Sequence, residues 1–279
     1  CDGKWFSFDF TSLYPAMCVK HDMPYGEPII KNNTNWNLHG TNSMNWNDEQ
    51  KKDFNKFFGF VQVKVKTIRY DIIPLHGIKN NGKLVFPIME NWTSTTLFSE
   101  EIKLGLEENQ YQYIIDDGIG FQRGDILKSF MQDGFDKKAD AKKMGDSALA
   151  QVWKIIINSG YGFFGLRTQD IDGVEIHDLG SPRCLIDDER ITHEADFKNY
   201  TIIRKKKDLP IEDFNVGVAA AVSAWARMRL FRLIRAIHKV GGKVAYCDTD
   251  SVKTNIDILQ YENLKNEFMW DGTGDAIGS

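Results

Sequence analysis

"YCDTDSV", residues 246–252, sets two aspartates one residue apart in a stretch that is otherwise apolar and strand-like. A carboxylate taken out of water without compensation is costly. A fold that accepts this segment must therefore give the pair a partner. Two solutions fit. Asp-Thr-Asp suits a tight connection between strands, and carboxylate oxygens are the ligands that a divalent ion such as magnesium prefers. On its own the segment favours the turn. A metal site requires further ligands elsewhere in the chain.

The 279 residues suffice for one large domain or two of ordinary size. A 42% hydrophobic and 12% aromatic content implies a substantial packed core. No apolar run approaches the roughly 20 residues that span a bilayer. The best of them, "VGVAAAVSAWA", soon gives way to arginines, so no membrane partner is expected. A net charge of −4 weighs mildly against a dedicated nucleic-acid binder. A basic groove can nonetheless coexist with an acidic remainder. Cys1, Cys18, Cys184 and Cys247 show neither zinc spacing nor a disulfide framework, and a reducing compartment follows. No signal peptide is visible at Cys1, and a first residue other than methionine suggests a fragment or a processed product.

Along the chain, Phe6, Phe8 and Phe10 alternate with Ser7 and Asp9, as on the two faces of a strand that Pro15 then interrupts. Asp9 thus falls near a strand end. Residues 31–56, rich in Asn, Trp and Lys, read as irregular and loop-dominated. "FGFVQVKVKTI" reads as a half-exposed strand, residues 97–109 as a helix, and "YQYIIDDGIGF" as strand and turn. "DKKADAKKMGDSALAQVWKIIINSGYGFFG" reads as one long helix ending at Gly160, Gly162 and Gly165. Residues 166–212 are polar, and "RKKKD" at 204–208 reads as a solvated loop. In the next helix Arg229, Arg232 and Arg235 read as a solvated face. "GKVAYCDTDSVKTNI" is the closing strand.

Asp9 and the pair Asp248/Asp250 now form a pattern of two core strands, each presenting carboxylates at an end. If the strands are neighbours, the acids converge. Two divalent ions about 4 Å apart could then clamp an in-line phosphoryl transfer. Without metal, mutual repulsion should raise the carboxylate pKa values. On the intervening helix, at ~100° per residue, Asn158 lies about 40° and Tyr161 about 20° from Lys154. A cation, an amide and a ring on one face suit a nucleotide. A snorkelling lysine with a capping asparagine before C-terminal glycines explains the same residues as well.

"DFTSLYP" (9–15), "KIIINSGYG" (154–162) and "YCDTDS" (246–251) resemble motifs A, B and C of family B DNA polymerases, in that order. "MPYGEPI" (23–29) and the long stretches between motifs are similar to the protein-primed branch found in bacteriophages, other viruses and linear plasmids. The resemblance implies an α+β polymerase fold. Its palm, a mostly antiparallel sheet with helices behind, comprises 1–30 and 213–279, and its helical fingers 130–165. A first insertion, like the priming-protein region, covers 31–129 and a second covers 166–212, with exonuclease domain and thumb absent.

The resemblance further implies DNA-directed nucleotidyl transfer from a dNTP to a DNA 3′-hydroxyl or a priming-protein hydroxyl. Two Mg2+ ions, replaceable by Mn2+, are its cofactors. Its partners are primer-template DNA, dNTP and a terminal protein, met by a monomer in the host cytoplasm, or in the mitochondrion for a linear-plasmid enzyme. Asp9 and Asp250, with the Phe10 carbonyl, resemble the metal ligands, and Asp248 the secondary carboxylate. Leu13, Tyr14, Lys142, Lys154, Asn158 and Tyr161 resemble nucleotide-binding residues, Tyr14 lying under the sugar. Ser159, Gly162, Tyr246 and Thr249 resemble DNA contacts. One departure is Ala150, where the phage relatives carry a fingers lysine. On a continuous helix Lys143 would share the Lys154 face better than Lys142, which lies about 120° away. Nucleotidyl cyclases would not need motifs like A and B, and reverse transcriptases usually read Y-x-D-D at motif C. The remaining alternative is a truncated, inactive remnant that binds only nucleotide, DNA or a partner.

Overall fold

The computed structural model describes residues 4–165, 172–178, 191–206 and 215–268. Strand β1 (Phe6–Asp9) half-buries Phe6 and Phe8, exposes Ser7 and Asp9, and stops there. After a turn through Ser12, helix α1 (Leu13–Lys20) begins, with Pro15 in its first turn. The N–H that proline lacks has no intrahelical partner at that position in any case. β1 pairs antiparallel with β12 (Ser251–Thr254), and β12 with β11 (Val244–Asp248), giving the sheet order β1-β12-β11. The long helix α6 (Val216–Lys239) packs against α1 and β11. It buries Val218, Ala221, Val222, Met228, Phe231 and Ile234 in one contiguous core.

A second antiparallel sheet runs β2-β7-β3-β6, from β2 (Met23–Lys31), β7 (Tyr111–Gly124), β3 (Gly59–Thr67) and β6 (Thr93–Phe98). In β3, Val61, Val63 and Val65 are fully buried while Gln62 and Lys64 are exposed. Each such valine contributes roughly 1.5 kcal/mol or more. Helix α3 (Ser99–Glu107) follows β6 directly, and the Glu101 carboxylate accepts the Phe98 N–H at 3.3 Å. A small hairpin, β4 (Ile78–Asn80) with β5 (Lys83–Val85), and helix α7 (Glu262–Phe268) complete this part. No helix among the described residues is long and apolar enough to cross a membrane.

The structure corrects several local readings. Residues 31–56 are not all loop, because α2 (Asp48–Lys56) is nucleated by a reciprocal cap. Asn47 Oδ1 accepts from Gln50 N at 2.8 Å, and Gln50 Oε1 from Asn47 N at 3.1 Å. Asp116-Asp117-Gly118 is not a turn but a register irregularity inside β7.

The single long helix is two, α4 (Lys128–Lys143) and α5 (Ser147–Phe163). Gly145 at φ +76° stops the first, and Asp146 Oδ1 caps the second by accepting Leu149 N at 2.9 Å. The two form an antiparallel hairpin. Gly134 meets Ile157, the Lys137 ammonium lies over the Trp153 ring at 4.8 Å, and Gly160 meets Phe130 and Met131. The glycines after Asn158 therefore lie within or just after α5 rather than stopping it before Gly160, and no single helical phase relates Lys143 to Lys154.

Between motifs B and C, β8 (Asp172–Asp178), β9 (Ile191–Asp196) and β10 (Tyr200–Lys206) form an antiparallel sheet in the order β8-β10-β9. Arg204, Lys205 and Lys206 of the basic run thus belong to a strand, and Lys207 and Asp208 lie outside the described residues. Cys1 and Cys184 lie outside them too, while Cys18 and Cys247 are free thiols. Of the three arginines read as a solvated face, Arg232 is exposed. Arg229 is buried, donating to the Phe268 carbonyl at 3.0 Å between the Phe268 and Phe10 rings. Arg235 pairs with Glu108 at 3.0 Å. Covered on several sides, α6 has little free face to give to charge.

Candidate active site

The two aspartate-bearing strands are direct neighbours. Asp9 stands opposite Ser251, and Phe10 N–H donates to the Asp250 carbonyl at 2.8 Å. Residues 9 and 250 thus sit side by side at the same end of the sheet. Asp248 closes β11 opposite Ser251, and Thr249-Asp250 is the two-residue connection to β12. Thr249 takes φ 51°, a strained choice for a β-branched residue. Turn and carboxylate cluster are therefore one feature. The expected burial of both charges does not occur: Asp248 is exposed and Asp250 partly so, because the hairpin end projects beyond the core.

Burial first, then the Asp9 charge and that of Asp248, raise the Asp250 carboxyl above its ordinary pKa. Repulsion between converging acids thus adds to the larger effect of burial. Both Asp248 oxygens are engaged locally: Tyr246 donates its hydroxyl to Oδ2 at 3.1 Å and Thr249 donates to Oδ1 at 3.0 Å. Among the described residues, no three His, Cys, Asp or Glu side chains group so as to hold a metal by themselves. Magnesium bound through one or two carboxylates plus phosphate oxygens needs no such cage. The repelling aspartates fit a cation of that kind.

Beside them, the Tyr14 ring stacks on Tyr161 with centroids 4.8 Å apart and 26° between planes. Burial, then the Asp250 charge, raises the Tyr14 hydroxyl pKa. The Leu13 side chain is 2% exposed, so what it can offer a ligand is its backbone. On α5, Lys154, Asn158, Ser159 and Gly162 are exposed. Ala150 faces the core. Lys142 is exposed in the last turn of α4, near the hairpin tip.

Two residues near the site escape a sequence reading. Arg227 pairs with the buried Glu101 at 2.9 Å and, with Tyr14, Tyr246, Asp248 and Thr249, lines a cleft of about 740 Å³. Its two-residue spacing from Arg229 carries no helical signal. Lys138 is 9% exposed and donates to Ser12 Oγ at 3.3 Å. A signal exists for Lys138: it continues the buried series Met131, Gly134, Phe135 and Ala141, a lysine at an apolar-face position.

The chain is similar to known DNA polymerases. A probable DNA polymerase of Neurospora intermedia is 26% identical over 263 residues, spanning 90% of this chain and 25% of that protein. The DNA polymerase of Bacillus phage Nf is 28% identical over 261 residues, spanning 90% of this chain and 38% of that protein. The chain thus spans about a quarter to two-fifths of the length of these relatives. Among solved structures, phi29 DNA polymerase complexed with primer-template DNA and incoming nucleotide substrates shares the fold. Its TM-score is 0.58 at 21% identity, over 90% of this chain and 39% of that one. The profile of DNA polymerase type B, organellar and viral, matches residues 1–266, from the Asp9 strand through α5 to the Asp250 hairpin, and the chain belongs to that family.

Proposed function

We propose that the protein is a DNA-directed DNA polymerase of the protein-primed kind and that these residues form its palm and fingers. The observation that carries this reading is the β1–β12 register, which sets Asp9 beside Asp250 with the Tyr14–Tyr161 stack alongside. Asp9, Asp250 and the Phe10 carbonyl are the groups that would hold Mg2+ or Mn2+, which when bound supplies charge for in-line phosphoryl transfer. The oxygen of a DNA 3′-hydroxyl, or of a priming-protein hydroxyl, bonds to the α-phosphorus. The bond to the β-phosphate oxygen breaks, pyrophosphate leaves, and the hydroxyl proton passes to water. Asp248, held by Tyr246 and Thr249, supports the carboxylate pair from the turn.

Tyr14 lies under the sugar, Lys154 meets the triphosphate, and Asn158 and Tyr161 line the nascent pair, with Leu13 contributing backbone. Lys142 lies farther out toward the hairpin tip. Ser159, Gly162, Tyr246 and Thr249 face the DNA. Residues 1–30 and 213–279 are palm and 130–165 fingers. The insertions 31–129 and 166–212 serve the terminal protein and the template. Because β2 pairs with β7, the sheet of the first insertion begins inside the 1–30 segment.

The test is single-nucleotide addition by the full-length protein on a primed template with Mg2+. The parent is expected to extend the primer. Asp250→Asn should reduce the rate about 1,000-fold, the equivalent of several kcal/mol of charge stabilisation. A parent that binds primer-template and dNTP but adds nothing is a binding remnant, and the reading fails.

A further inference from the structure

Four non-glycine residues among those described have positive φ: Ser12, Asn81, Asn109 and Thr249. Asparagine tolerates this region; serine and threonine adopt it at a cost of about 1–2 kcal/mol. The two unusual ones, Ser12 and Thr249, flank the carboxylates of the candidate site. Thr249 belongs to a tight hairpin, which accounts for it. Ser12 lies in a turn too, but one that enters a helix rather than closing a hairpin. It is the N-cap of α1, a position that normally takes extended backbone and caps with its side chain. Instead it stands at φ 54°, ψ 55° and its side chain makes no cap bond.

The Ser12 hydroxyl is engaged elsewhere, by an amine 126 positions along the chain. Lys138 Nζ donates to Ser12 Oγ at 3.3 Å from the buried face of α4, with the Phe135 ring 4.9 Å from the ammonium. At 9% exposure this lysine adds nothing to solubility. A leucine or methionine would fill an apolar-face position without the desolvation cost of a charge. Strain held at a functional site persists where the surroundings over-determine it, and here a fingers helix does so.

Ser12 lies midway between two parts of the site. Two residues before it, Phe10 is tied to Asp250 through its N–H, and two residues after it Tyr14 stacks on Tyr161. Relaxing Ser12 to an ordinary N-cap conformation would redirect the chain between them. We propose that Lys138 is a positioning residue for the nucleotide site, holding Ser12 left-handed so that Tyr14 meets the sugar while Phe10 stays on the Asp250 strand. The inference rests on the polymerase reading above and assigns Lys138 no contact with the nucleotide.

The experiment uses the full-length protein and single-nucleotide extension across dNTP and rNTP series, with melting temperature measured in parallel. Lys138→Met keeps the stem and removes the charge. It should raise the KM for dNTP about 5-fold or more, change kcat less, and weaken discrimination against ribonucleotides. Ser12→Ala, which removes the acceptor, should give the same defect. The double variant should be no worse than either single one. Lys138→Met with Ser12→Gly should recover most of the parental KM, since glycine takes positive φ without strain. Parental KM and discrimination in Lys138→Met or in Ser12→Ala would overturn the inference. So would a Lys138→Met defect that Ser12→Gly leaves untouched. A parent that adds no nucleotide overturns the polymerase reading itself, and this inference with it.

Discussion

Tyr14 carries the most specific consequence at the scale of single residues. Its ring is held by Tyr161, so it presents a fixed edge rather than a mobile one. If that edge excludes a 2′-hydroxyl, Tyr14→Val should raise ribonucleotide incorporation by about 10-fold or more while costing deoxynucleotides less, since removing a clash removes little binding. Competition between dNTP and rNTP in single-nucleotide addition measures this, and equal discrimination in variant and parent would refute the assignment. The residues most legible in the sequence were those fixed by local pattern. Asp9 ends an alternating run, Asp250 sits in a two-residue turn, and Asn158 and Tyr161 share a helical face with Lys154. Arg229 was misread because charge at three-residue spacing looks like a wet face, whereas tertiary packing buries it between Phe10 and Phe268. Only the neighbours decide such a case.

At the scale of elements, the break at Gly145 reshapes the expected fingers. A hairpin brings α4 back along α5, and their close approach depends on Gly134. A Cβ there would stand 2.5 Å from Ile157 Cγ2, a branched atom in a fully buried side chain. Gly134→Val should destabilise the protein by about 1–3 kcal/mol through overpacking, read as a shift in the urea midpoint. A midpoint equal to the parent's would mean that the helices part at little cost. The same hairpin sets the two lysines far apart along the fingers. Lys154 lies two turns from Tyr161, whereas Lys142 is beyond the start of α5. Lys154→Ala should therefore cut nucleotide incorporation by about 10-fold or more, the scale of a charge-assisted contact, and Lys142→Ala should cost less. A larger Lys142 defect would place the phosphates at the hairpin tip. Strands were legible where alternation was clean, as in β3. Met144-Gly145-Asp146 was passed over because a lone glycine inside a helical pattern is often tolerated. The Asp cap one residue later was the signal that could have identified the break.

Across the whole molecule, one core joins the β1-β12-β11 and β2-β7-β3-β6 sheets through α6, with His76 fully buried and His21 half-buried. Burial, with a smaller push from Arg227, lowers the His76 pKa to about 3. Burial, with Arg232 and Arg229, lowers that of His21 to about 4, its ring stacked on Trp225 at 4.0 Å. Both folded values lie below the unfolded value of about 6.5, so the unfolded chain binds more protons in between. Stability should hold above that pH and fall as acid is added, by roughly 2 kcal/mol per histidine at pH 5. His21→Phe, which keeps the stack, should lose about half of the midpoint shift between pH 7 and pH 5; an unchanged shift would mean that His21 protonates without opening the core. Asp250 runs the other way. Burial, then the Asp9 charge, raises its carboxyl pKa, so its ionised form is held at a cost at neutral pH, and a cation bound there would offset that cost. The most direct measurement of the proposed metal site is a Mn2+ titration followed by electron paramagnetic resonance, with the full-length protein, primer-template and dNTP present. The parent should take up two ions, and Asp9→Asn and Asp250→Asn should each weaken uptake by about 10-fold or more. Equal Mn2+ affinity in the parent and both variants would contradict a metal site built where β1 meets β12.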